Sequence, residues 1–271
     1  MYKKHVTLYG NSLSSSSDPG WNYLGQYDYI ICSPHVLQRI EAKRPDLVER
    51  CFIYLDLFCH PRLHGIPGDV YPAPGDYFTD STIHMKERGG TSYLYYLTDD
   101  WVSMFLHSVL EFLRGYIAKG LKIGGIFLDE WTISHTWYGL DQMLLEEIQG
   151  TAQQRRDHMT FVEKVLSKIA KVFTVKGKVV ANGEHIFLDN PDVVLYHESV
   201  GSDWKPFDTL LDPTSVFFAK EGDFWQVNSS DRSTRWLAVY LGRKIGVSIG
   251  MQPNDGVLSY DAIEDTSSWP Q

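Results

Sequence analysis

Eight short apolar segments, most of them rich in β-branched residues, set the strongest limit on how this chain can fold. They are residues 5–10 (HVTLYG), 27–34 (YDYIICSP), 51–58 (CFIYLDLF), 123–130 (IGGIFLDE), 178–184 (KVVANGE), 192–199 (DVVLYHES), 214–222 (TSVFFAKEG) and 244–250 (KIGVSIG). They read as near-continuous hydrophobic runs rather than strict alternations. Strands buried on both faces, as in a parallel sheet covered by helices, have this pattern.

Helical patterns fall between several of these runs. They cover residues 35–46, 99–120, 161–173 and 231–244. In the second, Trp101, Phe105, Val109, Phe112 and Tyr116 recur at helical spacing before Gly120. In the fourth, Trp236, Val239 and Tyr240 define the apolar side, and Trp101 and Trp236 are read as core residues. Strands alternating with helices imply right-handed βαβ crossovers. With eight such strands and no dinucleotide-binding GxGxxG, an irregular α/β barrel of the (β/α)8 type is expected, one domain over residues 1–271. Its irregularity lies in the first-to-second and fifth-to-sixth connections, which are too short for full helices. Two long insertions, residues 59–98 and 131–160, each follow a strand and precede a helix. In a barrel such loops belong to the C-terminal face, where active sites are built.

Lys and Arg number 25 against 34 Asp and Glu, a formal charge of −9. Without a basic run there is no footprint for a phosphate-tracking groove, so no nucleic-acid partner is expected, nor an anionic membrane surface. No run approaches the ~18 apolar residues of a membrane span. The N-terminal stretch lacks the apolar core of a secretory signal, so a cytoplasmic location, or delivery by another route such as a viral particle, is expected. The three cysteines, Cys32, Cys51 and Cys59, form no CxxC pair, and Cys32 and Cys51 are expected as buried free thiols.

Polar groups recur where the strands end: Asp56, Asp129 with Glu130, Asn182 with Glu184, and His197 with Glu198; Glu221 and Asp223 are read as following the seventh strand. A barrel collects such ends on one rim, and a carboxylate there is costly unless solvated or employed. Two carboxyl groups with separate roles suit hydrolysis at an acetal carbon. Adjacent strand residues face opposite ways, so only one of Asp129 and Glu130 can enter the site, and Asp129 is favoured. Trp131, Trp137, Tyr138 and Trp204 lie in loops after strands, where an indole or phenol can serve as a stacking platform for a sugar ring or simply pack the loop. His60 and His64 are spaced i, i+4, but Pro61 and Gly65 oppose a helix and no HExxH is present, so neither a metal nor another cofactor is expected. With Asp56 those histidines could still supply the Asp/His/His set of a metal-dependent polysaccharide deacetylase. A GxSxG elbow is absent.

The segment GGIFLDEW (124–131) resembles the fourth-strand motif of glycoside-hydrolase-like TIM barrels, in particular the glycoside hydrolase family 114 endo-α-1,4-polygalactosaminidase-like clan and its neighbouring hypothetical families. The stretch from YDYIICSP to CFIYLDL is similar to that clan's second and third strands, KVVANGE to its fifth, and DVVLYHES to its sixth, which ends in a glutamate. RWLAVYLGRKIG followed by VSIG is similar to the last helix–strand unit. In order, these cover most of residues 5–250. The resemblance implies that Asp129 and Glu198 hold the catalytic positions, and leaves open which is the acid. This chain departs from the pattern in its long 59–98 insertion, in Glu130 directly after the aspartate and in His197 before the glutamate.

The expected function is therefore cleavage of a glycosidic bond in a polysaccharide or oligosaccharide without a cofactor. Asp129 and Glu198 act as the carboxylate pair, and Asp56, Glu130, Trp131, Asn182, Glu184, His197 and Trp204 bind substrate. The acidic charge suits a cationic amino-sugar polymer. The alternatives are a carbohydrate-binding barrel without turnover, carried in a larger assembly such as a viral or cell-surface appendage, and the metal-dependent deacetylase.

Overall fold

A computed structural model describes residues 1–8, 12–56, 85–88, 91–94, 113–129, 178–182, 193–199, 220–228, 231–252 and 263–270. Ten strands occur among them: β1 (His5–Leu8), β2 (Tyr29–Cys32), β3 (Cys51–Asp56), β4 (Met85–Arg88), β5 (Thr91–Leu94), β6 (Gly125–Asp129), β7 (Lys178–Asn182), β8 (Val193–Ser199), β9 (Phe224–Asn228) and β10 (Ser248–Gln252). Eight form one sheet in the order β1-β2-β3-β6-β7-β8-β9-β10, with every pairing parallel. A single parallel bridge between Lys4 and Ile249, in which the Ile249 N–H donates to the Lys3 carbonyl at 2.9 Å, brings the last strand back to the first. The sheet is thus a nearly closed, all-parallel barrel with helices outside. Followed from strand to strand, the registers return to β1 eight residues out of step, the shear expected of an eight-stranded α/β barrel. Strands β4 and β5 pair antiparallel as a separate hairpin inside the 59–98 insertion, flanking Gly89-Gly90 in the sequence.

Strand alternation sorts the barrel into an outside and an inside. Outward positions such as Ile30, Ile53, Ile126, Leu195 and Ile249 join the large core beneath the helices. Inward positions form a smaller, more aromatic cluster: Ile31, Phe52, Tyr54, Phe127, Val180, Tyr196 and Phe224. Rings from strands that are not neighbours meet there. Phe224 of β9 lies 5.7 Å from Phe52 of β3 and 5.0 Å from Tyr29 of β2, which only a curled sheet allows. Cys32 and Cys51 are buried free thiols on the outward side, and burial holds the Cys51 thiol well above its ordinary pKa; Cys59 lies outside the described residues.

Helix Pro34–Lys43 follows β2, with Pro34 at its first position and the Ser33 hydroxyl accepting from the Val36 N–H at 3.4 Å. Its buried face is Val36, Leu37 and Ile40. Residues 113–118 are helical; the rest of the 99–120 helix, Trp101 included, and the 161–173 helix lie outside the described residues. Helix Arg232–Ile245 is capped by the Asp231 carboxylate and ends at Gly246, whose φ of 83° is the left-handed stop. Its buried side corrects the expected one. Thr234, Ala238, Val239 and Gly242 face inward, whereas Trp236 and Tyr240 are 45% and 63% exposed. The helix packs through its smallest side chains: a Cβ at Gly242 would strike the Ile249 side chain, so the bulky aromatics sit on the solvent side.

The seventh strand is also corrected. The strand beside β8 in the sheet runs over Phe224–Asn228; of the expected 214–222 run, residues 220–222 precede it in a turn and 214–219 lie outside the described residues. Gly222, at φ 93°, makes a turn in which the Asp223 N–H donates to the Lys220 carbonyl at 3.1 Å, so the chain enters the sheet only afterwards. Glu221 and Asp223 therefore precede the strand and belong to its N-terminal end. The eighth strand starts at Ser248, because Lys244 and Ile245 still belong to the helix.

The segment Ile263–Pro270 lies against the N-terminal end of β1 and β2. Tyr2 Oη donates to the Pro270 carbonyl at 2.9 Å, Lys4 Nζ to Thr266 Oγ1 at 3.0 Å, and Tyr27 Oη to the Glu264 carbonyl at 3.2 Å. Buried Trp269 stands edge-on to Tyr27 at 5.8 Å.

Gly125 marks the tightest approach within the barrel: a Cβ there would run into the Lys178 carbonyl and crowd Phe52. Gly125→Ala is expected to cost about 2 kcal/mol or more of stability by overpacking, read from denaturant unfolding.

Candidate functional site

With the stagger of the registers, inward positions fall into layers contributed by alternate strands. The lowest layer is Tyr29, Gly125, Val194 and Ser248; above it come His5, Phe52, Val180 and Phe224, then Ile31, Phe127, Tyr196 and Gly250, then Thr7, Tyr54, Asn182 and Gln226. The interior therefore turns from aromatic to polar towards the C-terminal ends of the strands. Across the register Asp56 pairs with Asp129, and Glu198 with Gln226. Residues two apart on a strand share a face. Positions 129 and 198 thus share the face of Phe127 and of Tyr196, and by register they fall in one layer directly above Thr7, Tyr54, Asn182 and Gln226. Strand β7 lies between their strands. Position 56 falls on the same inner face, one layer further up. For Asp56, Asp129 and Glu198 the description stops at the backbone. Asn182 is partly buried at the end of β7.

His197 stands apart from this set. It occupies the alternate, outward register, and its buried ring places Nε2 2.9 Å from Asp223 Oδ2. Asp223 is fully buried and also accepts from the Leu195 N–H at 3.0 Å and the Lys220 N–H at 2.9 Å. This carboxylate ties β8 to the turn before β9, a structural task. Glu130, Trp131, Glu184 and Trp204 lie outside the described residues, as do Trp137, Tyr138, His60 and His64. So do residues 131–160 and all of 59–98 except the hairpin strands. Among the described residues no group of three His, Cys, Asp or Glu could hold a metal ion, and no helix is long and apolar enough to cross a membrane.

The interior contains polar residues that the sequence reading passed over. His5 Nδ1 lies 3.1 Å from Ser248 Oγ, and its ring packs 5.0 Å from Phe224 and 5.6 Å from Tyr196. Tyr196 Oη donates to Gln226 Oε1 at 3.1 Å. Gly250 makes room for this group, since a Cβ there would strike both Gln226 Oε1 and His5 Nε2. Burial pushes the His5 imidazole down to about 3, with the Gln226 side chain opposing more weakly, so the ring is neutral near pH 7. The signal was present in HVTL: His5 and Thr7 are its polar members, two apart, and so share the inner face.

Compared with known proteins, the chain matches no family model, and no curated protein matches it.

Two outcomes follow from the buried polar pairs. Asp223→Ala strands two backbone N–H groups and His197, and is expected to cost about 2–5 kcal/mol in denaturant unfolding while leaving the inner face intact. His5 is neutral when folded and titrates near 6.5 when unfolded. The unfolded chain therefore binds more protons, and stability should fall as pH drops from about 6.5 towards 3, by up to about 1.4 kcal/mol per unit. His5→Gln should remove that part of the slope, which unfolding curves at several pH values would show.

Proposed function

We propose that this chain is a glycoside hydrolase that cleaves a polysaccharide, with Asp129 and Glu198 as its carboxylate pair. In this reading the nearly closed barrel is of the TIM type, and the 59–98 and 131–160 insertions, which follow strands in the sequence, would supply the substrate groove on its C-terminal face. The observation that carries the reading is the shared layer of positions 129 and 198, at the polar end of the barrel and with one strand between them. Two carboxyl groups about 5–9.5 Å apart span the retaining and inverting geometries of glycosidic cleavage. One protonates the leaving oxygen, and the other attacks the anomeric carbon or activates water. An acid that keeps its proton near neutral pH beside an ionised partner gives a bell-shaped pH dependence. Asp56 and Asn182 at neighbouring strand ends, with Glu130, Trp131, Glu184 and Trp204 in the loops beyond, are the proposed contacts to the sugar. The formal charge of −9 favours a cationic amino-sugar polymer.

Polymers of galactosamine and glucosamine, with a neutral glucan as control, should be screened for new reducing ends. Asp129→Asn and Glu198→Gln should each lower the rate about 10²–10⁴-fold with little change in thermal stability and with oligosaccharide binding retained. Full activity in both variants rejects the assignment. Binding without turnover in the wild-type chain points instead to a carbohydrate-binding barrel.

A further inference from the structure

We propose that Thr7, Tyr54, Asn182 and Gln226 form the floor of a pocket for a sugar ring, with Thr7 Oγ1 hydrogen-bonded to one ring hydroxyl. The inference rests on the glycosidase reading and names the surface that holds the sugar beneath the carboxylate pair.

Thr7 is 8% exposed, and its Oγ1 is buried with no hydrogen-bond partner among the described residues. A buried hydroxyl left unpaired is costly, and valine has nearly the same shape, so packing alone gives no reason for threonine here. Thr7 stands on the inner face two residues above His5, whose ring contacts with Tyr196 and Phe224 fix that face as the barrel interior. Its layer lies directly below positions 129 and 198.

The chemistry of the floor selects the ligand. A threonine hydroxyl, a tyrosine hydroxyl and two carboxamides all both donate and accept, and none carries charge. An anion would call for cationic or purely donating groups, and a metal for carboxylates or imidazoles. Sugar hydroxyls both donate and accept, which matches this set. A single internal water is the competing occupant, and it makes a different prediction.

The full chain should be titrated calorimetrically with chitotriose, a galactosamine trisaccharide and maltotriose. For the saccharide that the wild type binds, Thr7→Val should weaken affinity about 5- to 30-fold, and Thr7→Ser should stay within about threefold. The melting temperature of Thr7→Val should hold or rise, because the variant removes an unpaired buried hydroxyl. Equal affinity in wild type and Thr7→Val overturns this inference alone and leaves the glycosidase reading standing; so does a marked fall in the melting temperature of Thr7→Val, which would give the hydroxyl a partner within the protein. A wild type that binds none of the three and releases no reducing ends overturns both.

Discussion

The two-residue alternation of strands in a nearly closed parallel sheet is the constraint on which everything else rests. Once the sheet curls, each residue is committed to the helix-covered outside or to the enclosed interior, and a slip of one residue would exchange the two sets. Stability then comes mainly from the outer face, where branched aliphatic side chains meet the helices. The inner face is free to vary along the barrel axis. It is aromatic low down, where Phe52, Phe224 and Tyr29 interlock, and polar near the strand ends.

The same division explains what the sequence disclosed. Six strands were legible because burial on both faces makes a parallel strand a continuous apolar run, as in YIIC and CFIYL. The seventh was displaced because FWQVN carries Gln226 and Asn228 at inward positions, while the apolar VFF just upstream resembles a strand more closely. The outer helix was read by its largest residues, yet it approaches the sheet through Ala238 and Gly242, so Trp236 and Tyr240 fell on the wrong side. Glycine and alanine carry too little hydropathy to mark a packing face.

The candidate site was legible only in part, for a geometric reason. Strand-end residues can be picked from sequence, but which of them share a layer depends on the registers between strands that lie far apart in the chain. The pairing of Asp56 with Asp129 spans the whole 59–98 insertion and the helical stretch after it. His197 and Asp223 show the converse. Both are polar residues in or beside a strand, and they pair with each other on the outer face, Asp223 lying two residues before Trp225, the register partner of His197.

The seam between β1 and β10 has a consequence for how the molecule is made. Its bridge joins Lys4 to Ile249, and the same end of the barrel is tied from Tyr2 to Pro270. The second of these contacts joins residues 268 positions apart, so it can form only after the whole intervening chain has left the ribosome. Until then β1 and its neighbours present an unpaired edge, and that edge is open to other chains. High contact order also slows the search for the native pairing. Chaperone dependence during synthesis, and relief of it in a circular permutant that makes the seam local, would be the cellular signature of a barrel that closes last where it began first.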